Sequence, residues 1–258
     1  MRVAVLNDIH GNLPALDAVL SDVRDARVDR VIVGGDVVPG PMTRETFQTL
    51  ASLEIPVDYL YGNGETAVRA AMDGRDHPAV PEMYRPLLRW TARHLESEYG
   101  AFLAGWPKTQ HLSIDGIGDV LFCHGTPRDE NEVFTRLTPD EMLGPMFDGV
   151  TAALVVCGHT HMPFDRRIGA IRIVNSGSVG MPFGPPGADW LLLGPAPGES
   201  PRSDVVFRHT DYDLEAAAAR IRATDYPDAE NFAAQYVLNP PTEARMLEIF
   251  TAASLAKK

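Results

Sequence analysis

Cysteine is nearly absent: the 258 residues contain two, Cys123 and Cys157. That count gives no disulfide framework and favours the reducing cytoplasm. Each closes an apolar run just ahead of a histidine-bearing loop, in Phe122-Cys123-His124 and Val156-Cys157-Gly158-His159, and reads as a buried strand residue. No apolar stretch approaches the roughly 20 residues a membrane-spanning helix needs. The first apolar run leads directly into Asp8 and His10, so it does not read as a cleavable leader. Basic residues are outnumbered, 23 against 35 acids, giving a formal charge of −12. Such a surface repels a polyanion and speaks against extended nucleic-acid binding, while leaving room for a small phosphorylated ligand. Internal repeats and low-complexity linkers are missing as well.

What is present is ordinary globular composition, 45 % apolar and 22 % charged, in a length that suits one domain over residues 1–258. Residues 2–6 predict a buried strand. Leu16, Val19, Leu20 and Val23 then recur with helical spacing. Val31-Ile32-Val33 predicts a second strand, a helix follows from near Thr43 with Phe47, Leu50 and Ala51 inward, and Val57 to Tyr61 predicts a third strand. Residues 64–109 break this alternation and read as a helical insertion beside the strand ends, with Leu87, Leu88, Trp90, Leu95, Phe102 and Leu103 as apolar anchors. Trp90, Phe102 and Trp106 read as its core, with stacking on a base as the alternative. His111–Ile114 and Val120–Cys123 flank Asp115-Gly116 and predict a hairpin. Thr138-Pro139-Asp140-Glu141 predicts a capping box. Further short strands are expected at 154–157, 171–174, 190–193 and 205–207. Residues 214–258 read as a helical tail that either covers the sheet or packs on another subunit. The expected class is α/β, with two strand-rich halves forming facing sheets.

Five polar clusters sit where an apolar run enters a loop: Asp8-Ile9-His10, Gly35-Asp36, Gly62-Asn63, His124-Gly125 and Gly158-His159-Thr160-His161. Taken singly, each is what an ordinary turn supplies. Five in series at strand ends are hard to explain as turns, since strand ends are where α/β sheets bind ligands. Carboxylate, imidazole and amide oxygen suit Mn²⁺, Fe or Zn²⁺, and no thiolate draws the set toward a closed structural zinc. Two such ions side by side need a shared oxygen ligand, for which Asp36 is the natural candidate.

The series resembles the calcineurin-like metallophosphoesterase superfamily, including its bacterial phosphodiesterase and diadenosine-tetraphosphatase-like members. Asn175-Ser176-Gly177-Ser178-Val179-Gly180 resembles a further family segment. The resemblance implies a four-layer αββα sandwich of two mixed sheets flanked by helices. It implies two divalent ions, manganese favoured, one held by Asp8, His10, Asp36 and His161 and the other by Asp36, Asn63, His124 and His159. A hydroxide activated by the two metals would attack phosphorus in line, with Asp36, Asn63 and His124 at the chemical centre.

One position departs from the family pattern. The family reads Gly-Asn-His-Asp/Glu where this chain has Gly62-Asn63-Gly64-Glu65. The missing histidine lies near the leaving group in the family, so its loss favours esters whose leaving group needs no proton. Gly64 would also make room for a bulkier diester. His77 and His94 are the candidates to replace the histidine, and His94 is also a candidate substrate contact. Arg128 could bind a substrate phosphate, against the simpler reading of a surface ion pair. Glu65 reads as a supporting residue rather than a catalytic one. The expected activity is cleavage of a phosphodiester or nucleotide phosphoanhydride in a small cytoplasmic substrate. The alternatives are a phosphomonoesterase or protein phosphatase, and a metal-binding scaffold without activity.

Overall fold

The computed structural model describes residues 1–95, 97–194 and 204–256. Among these described residues ten strands form two mixed sheets. The first contains β1 (Val3–Leu6), β2 (Arg30–Val33), β3 (Val57–Tyr59), β9 (Ala188–Leu193) and β10 (Val205–Thr210), in the order β10-β9-β1-β2-β3. The second contains β4 (Thr109–Ile114), β5 (Gly118–Cys123), β6 (Leu154–Cys157), β7 (Phe164–Ile168) and β8 (Ile171–Asn175), in the order β4-β5-β6-β8-β7. Strands β1, β2 and β3 run parallel, as do β5, β6 and β8; β9 is antiparallel to β1 and to β10.

Strand β1 explains the layering. All four of its residues are buried, because successive side chains enter different cores. Val3 and Val5 join Ile32 and Leu191 against Phe122, Leu154 and Val156 of the second sheet, which makes the core between the sheets. Ala4 and Leu6 point the other way, into a core shared with helices. Helix α1 (Leu13–Asp25) buries Leu16, Val19, Leu20 and Val23 there, and Asn12 Oδ1 caps it by accepting from Ala15 N–H, worth about 1 kcal/mol. Helix α2 (Thr43–Ala51) adds Phe47 and Leu50; Ala51, expected inward, is exposed because it occupies the solvent-facing last turn. The far face of the second sheet is covered by Phe134, Leu143 and Phe147, carried on loops and the four-residue helix α6 (Asp140–Leu143). The predicted capping box is not formed. Pro139 occupies the cap position, and Thr138 Oγ1 instead accepts from Thr135 N–H.

The insertion contains α3 (Asn63–Met72), a 3₁₀ turn at Glu82–Tyr84, α4 (Arg85–His94) and α5 (Ser97–Ala104). Leu88, Trp90, Leu95 and Leu103 are buried as expected. Phe102 is 40 % exposed and lies edge-on to Tyr59 and Trp106, so it borders that cluster rather than filling it. The tail forms α7 (Leu214–Arg222), α8 (Ala229–Phe232), a π-helical turn at Ala233–Leu238 and α9 (Glu243–Ala256). It packs on its own chain: Ala218, Ile221 and Tyr226 enclose Trp90, and Leu247 meets Phe183 and Met162. Cys123 and Cys157 are buried free thiols at strand ends. Among the described residues no helix is long and apolar enough to cross a membrane.

Candidate metal centre

Six non-glycine residues among those described adopt the left-handed region: Asp8 (φ 55°), His10 (49°), Arg27 (51°), Asp36 (53°), His159 (67°) and His161 (56°). Five of them belong to the clusters singled out in the sequence. The conformation costs each roughly 1–2 kcal/mol, so it persists only where neighbouring groups fix it. Here the loops after the strands are tied to one another. Asp8 N–H donates to Gly35 O (3.1 Å), His10 N–H to Asp36 O (2.9 Å), and His159 N–H to Asp8 Oδ2 (2.9 Å). The tight turns after β1, β2 and β6 therefore aim their side chains at one point.

At that point Asp8, His10 and His161 form one buried group, and Asp8, Asp36 and His124 another, with ligand atoms within 4.8 Å of each other. Asp8 Oδ1 lies 3.2 Å from His161 Nε2 and 3.8 Å from His124 Nε2. Asp36 places Oδ1 3.4 Å from His124 Nε2 and Oδ2 3.7 Å from His10 Nε2. Both carboxylates thus stand between the groups, where the sequence suggested Asp36 alone. Asn63, the first residue of α3, brings Oδ1 within 3.0 Å of His124 Nε2. The His159 ring lies 5.1 Å from that of His124.

The imidazoles are oriented from behind. Nδ1 of His10, His124 and His161 faces the carbonyl oxygens of Pro39 (3.3 Å), Gly34 (3.0 Å) and Met181 (2.8 Å). A carbonyl only accepts, so Nδ1 carries the proton and Nε2 is left facing the centre, the arrangement expected of metal-binding histidines. Phe183 stacks on His161 at 5.0 Å and 17°. The segment 175–180 braces two loops: Ser178 Oγ donates to Asp8 O, and Asn175 Nδ2 donates to Gly158 O.

The sequence model of the calcineurin-like phosphoesterase superfamily domain matches residues 1–193. The chain belongs to that superfamily. An uncharacterized protein of Methanocaldococcus jannaschii is 29 % identical over 164 residues, 63 % of this chain and 63 % of that protein, so the match spans less than two thirds of the relative. Among solved structures, a metallophosphoesterase from Sphaerobacter thermophilus aligns with a TM-score of 0.68 at 26 % identity, over 92 % of this chain and 100 % of that one. A hypothetical protein of Pyrococcus horikoshii OT3 shares the fold, with a TM-score of 0.73 at 20 % identity over 93 % and 99 %.

The donor set fits the divalent metals of this phosphoesterase family. Asp8 Oδ1 and His159 Nε2 are buried without a hydrogen-bond partner, a costly arrangement unless a cation completes it. Burial pushes the His159 imidazole down to about 4, helped by the charge of His124, so the ring is neutral at pH 7 and has one nitrogen lone pair to offer. Burial opposes a charge on His124 too, but Asp36 and Asp8 outweigh it and hold that imidazole up to about 10, so His124 is protonated in the metal-free centre and would give up the Nε2 proton to serve as a ligand. Burial likewise works against the Asp36 carboxylate, and His124 and His10 prevail and keep it well below the usual range.

Glu65 contributes more to this site than its sequence position revealed. Fully buried, it accepts from the N–H groups of Asp36 (2.8 Å), Val37 (2.8 Å), Val38 (3.3 Å) and Gly62 (2.8 Å). Burial and the Asp36 charge push its carboxyl up to about 7, while the amides of Asp36 and Gly62 draw it back. The side chain binds the loop after β2 to the start of α3. Its place in the family pattern Gly-Asn-His-Asp/Glu gave it a supporting role, but nothing in the sequence pointed to the four amides it gathers.

Other candidates fall elsewhere. Gly64 lines the cleft beside the cluster and donates its N–H to Asp36 Oδ1 at 2.6 Å. It does not open room for substrate, because the direction a Cβ would take is filled by Val38 O at 1.9 Å. The Arg128 guanidinium is engaged by Glu132 and by Pro145 O, the surface ion pair rather than the phosphate contact. His94 stacks on Trp90 at 3.9 Å, faces Asp225 at 3.3 Å, and lines a separate pocket with Thr43 and Thr224. His77, by contrast, lines the cleft that holds His10 and Asp36.

Proposed function

We propose that the chain hydrolyses a phosphodiester or a nucleotide phosphoanhydride with the help of two divalent cations, manganese favoured. The observation that carries this reading is the pair of buried atoms without a hydrogen bond, Asp8 Oδ1 and His159 Nε2, inside a cluster of two carboxylates and three backbone-oriented imidazoles. Asp8, His10 and His161 would hold one cation; Asn63, His124 and His159 would hold the other, with Asp36 between them. Such a pair, when bound, neutralises phosphoryl oxygens and lowers the pKa of water.

The chain's own groups do the rest. Carbonyls of Pro39, Gly34 and Met181 fix the imidazole planes, and Glu65 fixes the loop that carries Asp36. Pre-set geometry of this kind spares reorganisation during the reaction. Position 64 offers no side chain to protonate a departing alkoxide, which supports a preference for leaving groups stable as anions: an aryl oxide, or the phosphate side of an anhydride. The net charge of −12 supports a small substrate over a nucleic acid. The two buried free cysteines support a reducing, cytoplasmic setting.

The test is hydrolysis of bis-p-nitrophenyl phosphate against p-nitrophenyl phosphate, in Mn²⁺ and in EDTA, with Asp36→Asn as control. Diester cleavage abolished by chelation and by the substitution supports the reading. Strong preference for the monoester would replace it with a phosphomonoesterase. Failure on both esters and on dinucleoside polyphosphates, by protein carrying two metals, would leave a scaffold.

A further inference from the structure

The cluster accounts for a phosphate and gives the group attached to that phosphate no place. A cavity of about 260 Å³ is continuous with the cluster, since His10, Asp36 and Asn63 line it. The insertion supplies most of the remaining lining, including Val80, Tyr84, Leu87 and Leu88. Two of these remain partly open to solvent, Tyr84 at 47 % and Leu87 half-buried. His77 and Asn131 are the polar side chains on this side. A mostly apolar wall with a few polar groups, next to a charged centre, is the usual make-up of a small-molecule subsite. Its volume is at or below the lower end of such pockets, roughly 300–1,000 Å³, which suits one ring system better than two.

We propose that this cavity receives a single aromatic ring system carried by the substrate, an aryl group or a nucleobase, so that the insertion sets specificity. The proposal rests on the phosphohydrolase reading above. Tyr84 and His77 are the ring-bearing side chains of this wall that would stack on the substrate ring, Val80 and Leu87 would exclude water from its edge, and His77 would bond a ring substituent. An aliphatic group of equal length would cover less of this wall and would leave the ring faces unmatched.

The experiment is calorimetric binding of phenylphosphonate and methylphosphonate to the Mn²⁺-loaded protein, repeated with Tyr84→Ala and Leu87→Ser. Phenylphosphonate is expected to bind about tenfold tighter or more, with the advantage shrinking in both variants while methylphosphonate is unaffected. Adenosine 5′-phosphate against ribose 5-phosphate separates the two ring sources: an advantage there seats a base, and one confined to phenylphosphonate seats an aryl ester. Because Tyr84 is exposed, Tyr84→Ala is expected to keep the wild-type melting temperature and so reports on the subsite if Leu87→Ser unfolds. Equal affinities within both pairs overturn the subsite and leave the phosphate centre standing. No binding by any of the four ligands overturns both.

Discussion

The carbonyl oxygen of Val38 occupies the space where a side chain on Gly64 would begin: a Cβ there would lie 1.9 Å from it and 2.9 Å from Asp36 Oδ1. The glycine is therefore built into the path of the loop after β2, and the family histidine cannot be restored by a single exchange. Gly64→Ala is expected to lower stability by about 2–4 kcal/mol, because backbone rather than a pliant side chain must move. Gly64→His should lose activity as well, since the same shift disturbs the Asp36 loop. Thermal unfolding of both variants checks this; an unchanged melting temperature would mean that the Val38 loop yields freely.

Glu65→Gln tests the clamp. Four N–H groups converge on this carboxylate, and an amide would turn an NH₂ toward at least one of them. The expected loss is about 2–4 kcal/mol, as for a buried charge-assisted network stripped of an acceptor. Urea denaturation gives the number. Surviving activity should fall through kcat, because Asp36 loses its anchor, whereas a change limited to KM would argue against that link.

Cation binding is expected to raise the melting temperature. Ions bind the folded centre and not the separated ligands of the unfolded chain, which adds about 2.7 kcal/mol at a hundredfold excess over Kd. Asp8→Asn should remove most of that increment, since Asp8 belongs to both ligand groups. Scanning calorimetry with Mn²⁺, with Zn²⁺ and with EDTA would read it. Equal increments in wild type and variant would place the ions elsewhere.

Much of this site was legible because each candidate ligand ends an apolar run, and the strands did form beneath them. The brackets behind the ligands were not. Phe183 and Met181 come close to His161 only through a loop without periodicity, and Glu65, read as a supporting residue, gave no sign of the four loop amides it binds. Strand β7 was missed for a different reason. Phe164-Asp165-Arg166-Arg167-Ile168 carries charges because it is a sheet edge, where Arg166 reaches Thr135 O and Thr138 O. Thr138 misled the capping reading because its hydroxyl serves the Thr135 turn and Ser254 of the tail, a partner 116 residues away.

Glu130 should govern part of the acid limb of stability. It is buried, accepts from Thr66 Oγ1 at 2.9 Å and pairs with Lys108 at 2.8 Å. Burial pushes its carboxyl up, but the bonds from Lys108 and Thr66 prevail and hold it below its ordinary value. A depressed carboxyl contributes stability above its unfolded pKa and loses that contribution as pH falls through the folded value. Glu130→Gln should therefore be less stable than wild type at pH 7 by about 1 kcal/mol. The gap should narrow as pH falls below the ordinary carboxylate value of about 4.3 and close only once the folded carboxyl, held below that value, is protonated. Lys108→Met, with the lysine side chain 62 % exposed, is expected to cost under about 1 kcal/mol. Urea midpoints at pH 7 and pH 3.5 decide the matter: a gap of the same size at both would show that Glu130 acts through packing rather than through its charge.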